Sequence, residues 1–232
     1  MGGGGLFDVL FVLLAVGMLA FAGLGWWASR KRIERLRTWA ATNRWTYTAS
    51  DRSLVDFSRG QPFGVGRSKR ATEIMAGPFE GFAGLSFTYR WTTGSGKSST
   101  THTAHIVAVR LPAFLPTLEL TPDGFGAKLA KLVGAQDIQF ESDEFNRAFR
   151  VASSDPQVAH AIVHPRLMER MLRDDARRAC WRIEGTWILT WASGSTDLDR
   201  LATHLGLLTA VARSVPRHVW LDHGFDPSTA PR

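Results

Sequence analysis

Cysteine is almost missing from this chain of 232 residues: Cys180 stands alone. A single thiol excludes an internal disulfide and the paired-cysteine metal motifs, so nothing in the chain depends on an oxidising compartment. The nucleophile elbow G-x-S-x-G and the metalloprotease motif H-E-x-x-H are also missing. There is no internal repeat, which excludes a solenoid. Concentrated charge is scarce outside one short stretch. Of the net +7, Arg30 to Arg37 carries +4 and Asp8 −1, which leaves +4 on residues 38–232. That mildly basic surface lacks the dense Arg/Lys footprint of a nucleic-acid binder, so no nucleic-acid partner is expected. Extended disorder is excluded by a hydrophobic content of 44%. A body of about 200 residues can bury a substantial core without covalent help.

What is present begins with an uncharged run, Val9 to Trp27 (VLFVLLAVGMLAFAGLGWW). Nineteen helical residues extend about 28 Å, close to the ~30 Å hydrocarbon thickness of a bilayer. Trp26 and Trp27 resemble an interfacial aromatic belt. Met1 to Gly5 has no basic side chain, and the run is long for a cleaved signal peptide. The expectation is a transmembrane helix over 9–27. Basic residues follow it and none precede it, so residues 1–8 are expected outside and the rest in the cytoplasm of a bacterial cell, attached by a single pass. Residues 28–44 have helical spacing, with Ile33, Leu36 and Ala40 on one face. Arg30, Lys31, Arg32, Arg35 and Arg37 there read either as a surface for inner-leaflet anionic lipid or as the ordinary basic flank of an anchor.

Residues 45–220 pattern as one domain, with a loose tail over 221–232. Strands are expected at 45–49, within 67–75, at 82–92 and at 101–111. Leu85, Phe87, Tyr89 and Trp91 share one face at period two. Pro112 is expected to end the fourth strand, with a further extended segment at 114–120. A helix is expected over 123–133, and a short helix followed by an edge strand within 140–151. Asp155-Pro156 reads as an N-cap and first helical position, and Pro165 opens the next helix. Trp181 to Trp191 reads as a hairpin turning at Glu184-Gly185. Leu198, Leu201, Leu205, Leu208, Ala212 and Val215 form one helical stripe, capped by Ser195 or Thr196 and stopped by Pro216. Strands first, then helices, imply an α+β domain with a mainly antiparallel sheet.

The motifs carry little chemistry. Gly94-Ser95-Gly96-Lys97-Ser98 ends like a phosphate-binding loop, but Trp91 occupies the position of its first glycine and strand-like sequence follows where a helix is needed. It reads as a flexible hairpin tip. His102 and His105 fall on opposite faces of a strand. His160 and His164 have a usable helical metal spacing without a third ligand, so no metal is expected. Cys180 follows Arg177 and Arg178 and reads as a buried, inert thiol.

The runs ESDEFNRAFRV and DPQVAHAIVHPRLMERML, with the FTYRW and IVAVRLP strands, resemble an uncharacterised family of bacterial membrane-anchored proteins built on a domain of unknown function. The resemblance spans Leu36 to Pro216 and rests on Glu141, Phe145, Asn146, Phe149, Val151, Pro165, Met168 and Glu169. It implies membrane attachment and a single α+β domain, and it assigns no catalytic or cofactor-binding residue. The leading expectation is a membrane-anchored cytoplasmic binding or scaffold module for a protein or lipid partner. The alternative is a membrane-tethered enzyme assembled from His105, His160, His164, Asp174 and Asp175.

Overall fold

The computed structural model describes residues 4–124 and 136–229, except for the side chains of 4–12, 15, 18–25 and 136. Among the described residues, alternating apolar side chains build a seven-stranded sheet in which every pairing is antiparallel. β1 (Thr46–Ser50), β2 (Arg67–Phe79) and β3 (Phe82–Thr93) form a meander that continues into β4 (Thr100–Pro122). β3 pairs with the first half of β4, and β6 (Phe149–Ser153) pairs with the second half. β5 (Gln136–Ile138) lies on β6, and β7 (Trp181–Ser193) runs along the other edge of β4. Helices α1 (Gly4–Thr42), α2 (Asp143–Ala148), α3 (Pro156–Ile162), α4 (Pro165–Met171), α5 (Leu198–Ser214) and α6 (Arg217–Asp222) complete the α+β fold.

Several expectations hold. Ser142 caps α2 and β6 follows it directly, but β6 is flanked by β4 and β5 and is not the edge strand expected there. Asp155 Oδ1 accepts from the backbone N–H groups of Gln157 (2.9 Å) and Val158 (3.1 Å), with Pro156 in the first turn of α3. Gly96–Ser98 is a single 3-10 turn between β3 and β4, so the chain there runs strand–turn–strand without the helix a phosphate loop requires. The helix expected over 123–133 falls almost wholly on residues outside the described part.

The transmembrane helix over 9–27 is corrected. Gly4–Thr42 is one unbroken helix that runs from the apolar segment straight through Arg30 to Arg37. Among the described residues no helix is long and apolar enough to cross a membrane. Spanning requires about 20 consecutive apolar residues; much of the 9–27 run lies outside the described side chains. The single-pass topology and the bacterial cell-membrane location fall with it. The C-terminal end of α1 instead docks on the domain. Leu36, Ala40 and the following Trp45 are buried in its main core. Trp45 Nε1 donates to the Pro78 carbonyl at 3.1 Å. Gly84 leaves room for this ring: a Cβ there would lie 2.8 Å from the Trp45 Cη2.

Two strand expectations are also corrected. Pro112 does not end β4, and Trp181 to Trp191 is not a hairpin. Both segments are single strands paired along their lengths, and the pairing slips between Arg110 and Leu115 and again before Leu118. Proline has no N–H to give the ladder, so Pro112 and Pro116 sit where pairing is already broken. Gly185 faces Leu115 with φ +66°, a left-handed conformation that glycine adopts without strain. The β4–β7 ribbon bends so sharply here that Cys180, just before β7, donates its S–H to the Trp191 carbonyl near the far end, at 3.3 Å.

Alternation along the strands sends side chains to two faces. One face carries Val107, Val109 and Ile188 into the main core against the helices. The other carries Phe87, Tyr89, Ile106 and Leu189 into a second core, closed by Phe57 and Phe63 from the loop between β1 and β2.

Candidate functional site

Polar side chains of the sheet and of the turn before α5 are buried together. Ser86, Thr88, His105 and Thr196 are each at most 4% exposed. His105 Nδ1 accepts from the Asp197 backbone N–H at 3.3 Å, so its Nε2 carries the proton and donates to Ser86 Oγ at 2.9 Å. A serine nucleophile needs the reverse: Nε2 must accept from the hydroxyl while a carboxylate accepts from Nδ1. Burial, with His204 as a second cause, pushes the His105 imidazole down to about 4. Beside it, Arg32 holds Glu73 at 2.7 and 3.0 Å and donates to the Thr196 carbonyl at 2.7 Å. Thr88 Oγ1 donates to Glu73 Oε2 at 2.6 Å and accepts from the Thr196 N–H at 2.8 Å. Burial alone would raise the Glu73 carboxyl, but hydrogen bonds from Arg32 and Thr88 hold it below its ordinary value. The network pins the end of α1 and the start of α5 to the sheet. It presents no nucleophile to solvent.

Sequence reasoning placed Arg32 in a basic flank and Thr196 at a helix cap, and did not join Glu73 and Thr88 to them. Their signal was available: a lone acid in a strand opposite a Ser/Thr row implies a buried partner. The other basic residues there lie over aromatic rings: Arg30 at 4.1 Å from Trp26, Lys31 at 5.0 Å from Trp27 and Arg37 at 5.3 Å from Tyr47. Arg35 lines a shallow hollow beside Asp197 and Asp199.

The remaining enzyme candidates do not converge. His160 and His164 share a cavity of about 780 Å3 with Glu141 and Glu169, and the His160 ring packs 5.0 Å from Phe140. Among the described residues these four side chains make no hydrogen bond to one another, and no group of three His, Cys, Asp or Glu could hold a metal. Asp175 pairs with Arg170 at 2.8 Å, on the surface, next to Asp174. Burial pushes the Cys180 thiol up to about 12, which leaves it protonated and unreactive.

A second concavity, of about 720 Å3, has a different character. One wall is the β2–β3 turn (Gly81, Phe82, Ala83), another the ribbon bend (Arg110, Leu111, Pro112), and a third the α5–α6 corner with Ala212, Val215 and Trp220. Phe225 and Pro227 fold back to close it; Phe225 meets Trp220 edge-on at 5.9 Å. Pro216 positions this corner by stopping α5 and opening α6. The floor is apolar and the polar lining is three arginines: Arg110, Arg213 and Arg217. Arg213 pairs with Glu80 at 2.8 Å and donates to the Glu80 carbonyl at 3.0 Å. Arg217 pairs with Asp226 at 3.3 Å. Arg110 has no acidic partner among the described residues; its guanidinium lies 6.0 Å from the Trp187 ring.

No family model and no curated protein matches the chain. Among solved structures, the fold is similar to the crystal structure of the mycobacterial trehalose monomycolate transport factor A, TtfA, with a TM-score of 0.59 and 13% identity over 79% of this chain and 96% of that one. At that identity the likeness is one of fold.

Proposed function

We propose that the chain is a binding or scaffold module that seats an apolar ligand in the groove between the β2–β3 turn, the ribbon bend and the α5–α6 corner. One observation carries the reading: this groove joins an aromatic and aliphatic floor to a few polar groups at its rim, the usual composition of a ligand site. Its volume of about 720 Å3 falls within the range of small-molecule sites. His105 is held by Ser86 and by the Asp197 N–H at the start of α5, away from this groove. The structural neighbour's description as a transport factor agrees with a role in holding a cargo.

The uncharged dye Nile red tests this. With the wild-type chain its emission is expected to rise and shift to the blue. Ala83 is exposed on the groove wall, so Ala83→Trp fills the groove from the solvent side and is expected to remove most of that change without lowering the melting temperature. Equal emission with both chains contradicts the reading.

A further inference from the structure

The rim of this groove specifies more than an apolar ligand. We infer that its occupant is a single-chain anionic amphiphile, with the chain on the apolar floor and a phosphate or carboxylate head at the arginines; this rests on the groove being the binding site.

Charge carries the argument. Three arginines line the groove and, among the described residues, no aspartate or glutamate does. The two nearby acids, Glu80 and Asp226, are each paired with a lining arginine, so the lining keeps a positive excess at Arg110. Arg110 is exposed and makes no side-chain hydrogen bond or ion pair among the described residues. Its planar fork is free to take a phosphate or carboxylate in two-point contact. Arg213 and Arg217 sit in half-exposed pairs, 55% and 62% exposed. Such pairs are held weakly, so either arginine can turn to an incoming anion at little cost. The chain end has a matching place. Leu111, Val215 and Trp220 are buried in the main core, and Phe82 is packed against it. An uncharged amphiphile would bury its chain equally well and leave Arg110 without a partner. A cationic one would be repelled.

The experiment titrates the full chain with dodecyl phosphate below its micelle concentration, following displacement of Nile red, alongside dodecyl maltoside and inorganic phosphate. Dodecyl phosphate is expected to bind about tenfold or more tighter than the maltoside, and Arg110→Gln to remove about that factor. Inorganic phosphate alone is expected not to displace the dye. If maltoside binds as tightly and Arg110→Gln changes nothing, the anionic inference is overturned while the groove stands. If inorganic phosphate competes as well as dodecyl phosphate, the site is a bare anion site and the amphiphile is wrong. If Ala83→Trp leaves dodecyl phosphate binding intact, the groove itself is wrong.

Discussion

Replacing Arg182 by alanine is expected to lower the unfolding free energy by about 3–5 kcal/mol, the usual cost of breaking a buried ion pair from one side. Arg182 and Glu119 face each other across β4 and β7, 1% and 2% exposed, with Nε donating to Oε2 at 2.7 Å. Nη1 donates to Ser58 Oγ at 2.8 Å and Nη2 to the Gln61 carbonyl at 3.0 Å. The guanidinium also lies 5.0 Å from the Trp191 ring. Ser58 in turn donates to Glu184 Oε2 at 2.5 Å, and the Arg59 N–H reaches the same carboxylate. One side chain thus fastens the loop that closes the second core. A Cβ at Gly60 would collide with the guanidinium, which is why the loop passes over it at a glycine.

Truncation leaves the Glu119 carboxylate without either partner, because its Oε1 already lacks one among the described residues. Urea unfolding measures the loss, and limited proteolysis should show cleavage within residues 51–66. The double variant Arg182→Met, Glu119→Leu removes both charges and is expected to recover most of the stability. A loss below about 1 kcal/mol in the single variant would show that the pair does not fasten the loop.

The second large effect is acid lability from His105. Its folded value of about 4 lies below the ordinary 6.5 because burial disfavours the imidazolium, with His204 adding to the effect and Asp197 and Glu73 opposing it. Between these values the unfolded chain binds a proton that the folded chain does not. Stability therefore rises with pH across the window and is lost as pH falls from about 6.5 towards 4. The full shift corresponds to about 3 kcal/mol. Below the ordinary carboxylate range, protonation of Glu73 removes a further part, because its folded value is depressed. Unfolding midpoints at pH 7, 5.5 and 4 measure the slope. His105→Gln is expected to be less stable at pH 7 but to lose less between pH 6.5 and 4; a variant that loses as much as wild type would assign the slope elsewhere.

Where sequence and structure part company, long-range pairing is the reason. The period-two face Leu85, Phe87, Tyr89, the Asp155 cap and the α5 stripe depend on residues close in sequence, and all are present. The alternate face of β3 was legible as polar but not as buried, because burial comes from α1 and α5, far away in the chain. Trp181 to Trp191 carries a turn-like Glu-Gly in its centre, yet β4 offers a partner on both sides of it, so Gly185 stays within the strand, opposite the bulged part of β4. The helix cap moves to Asp197 from the expected Ser195 or Thr196 because Thr196 is taken by Thr88. The groove was not legible at all. Its arginines lie on β4, α5 and α6 and meet only because the ribbon bends at Pro112 and the chain turns at Pro216.

Residue-resolved titration tests the central claim most directly. Backbone amide resonances of the full chain, followed during addition of dodecyl phosphate, should shift most at Phe82, Ala83, Leu111, Arg213 and Trp220 if the groove is the binding site. Shifts centred instead on Phe140, His160 and His164, or spread evenly over the domain, would contradict it.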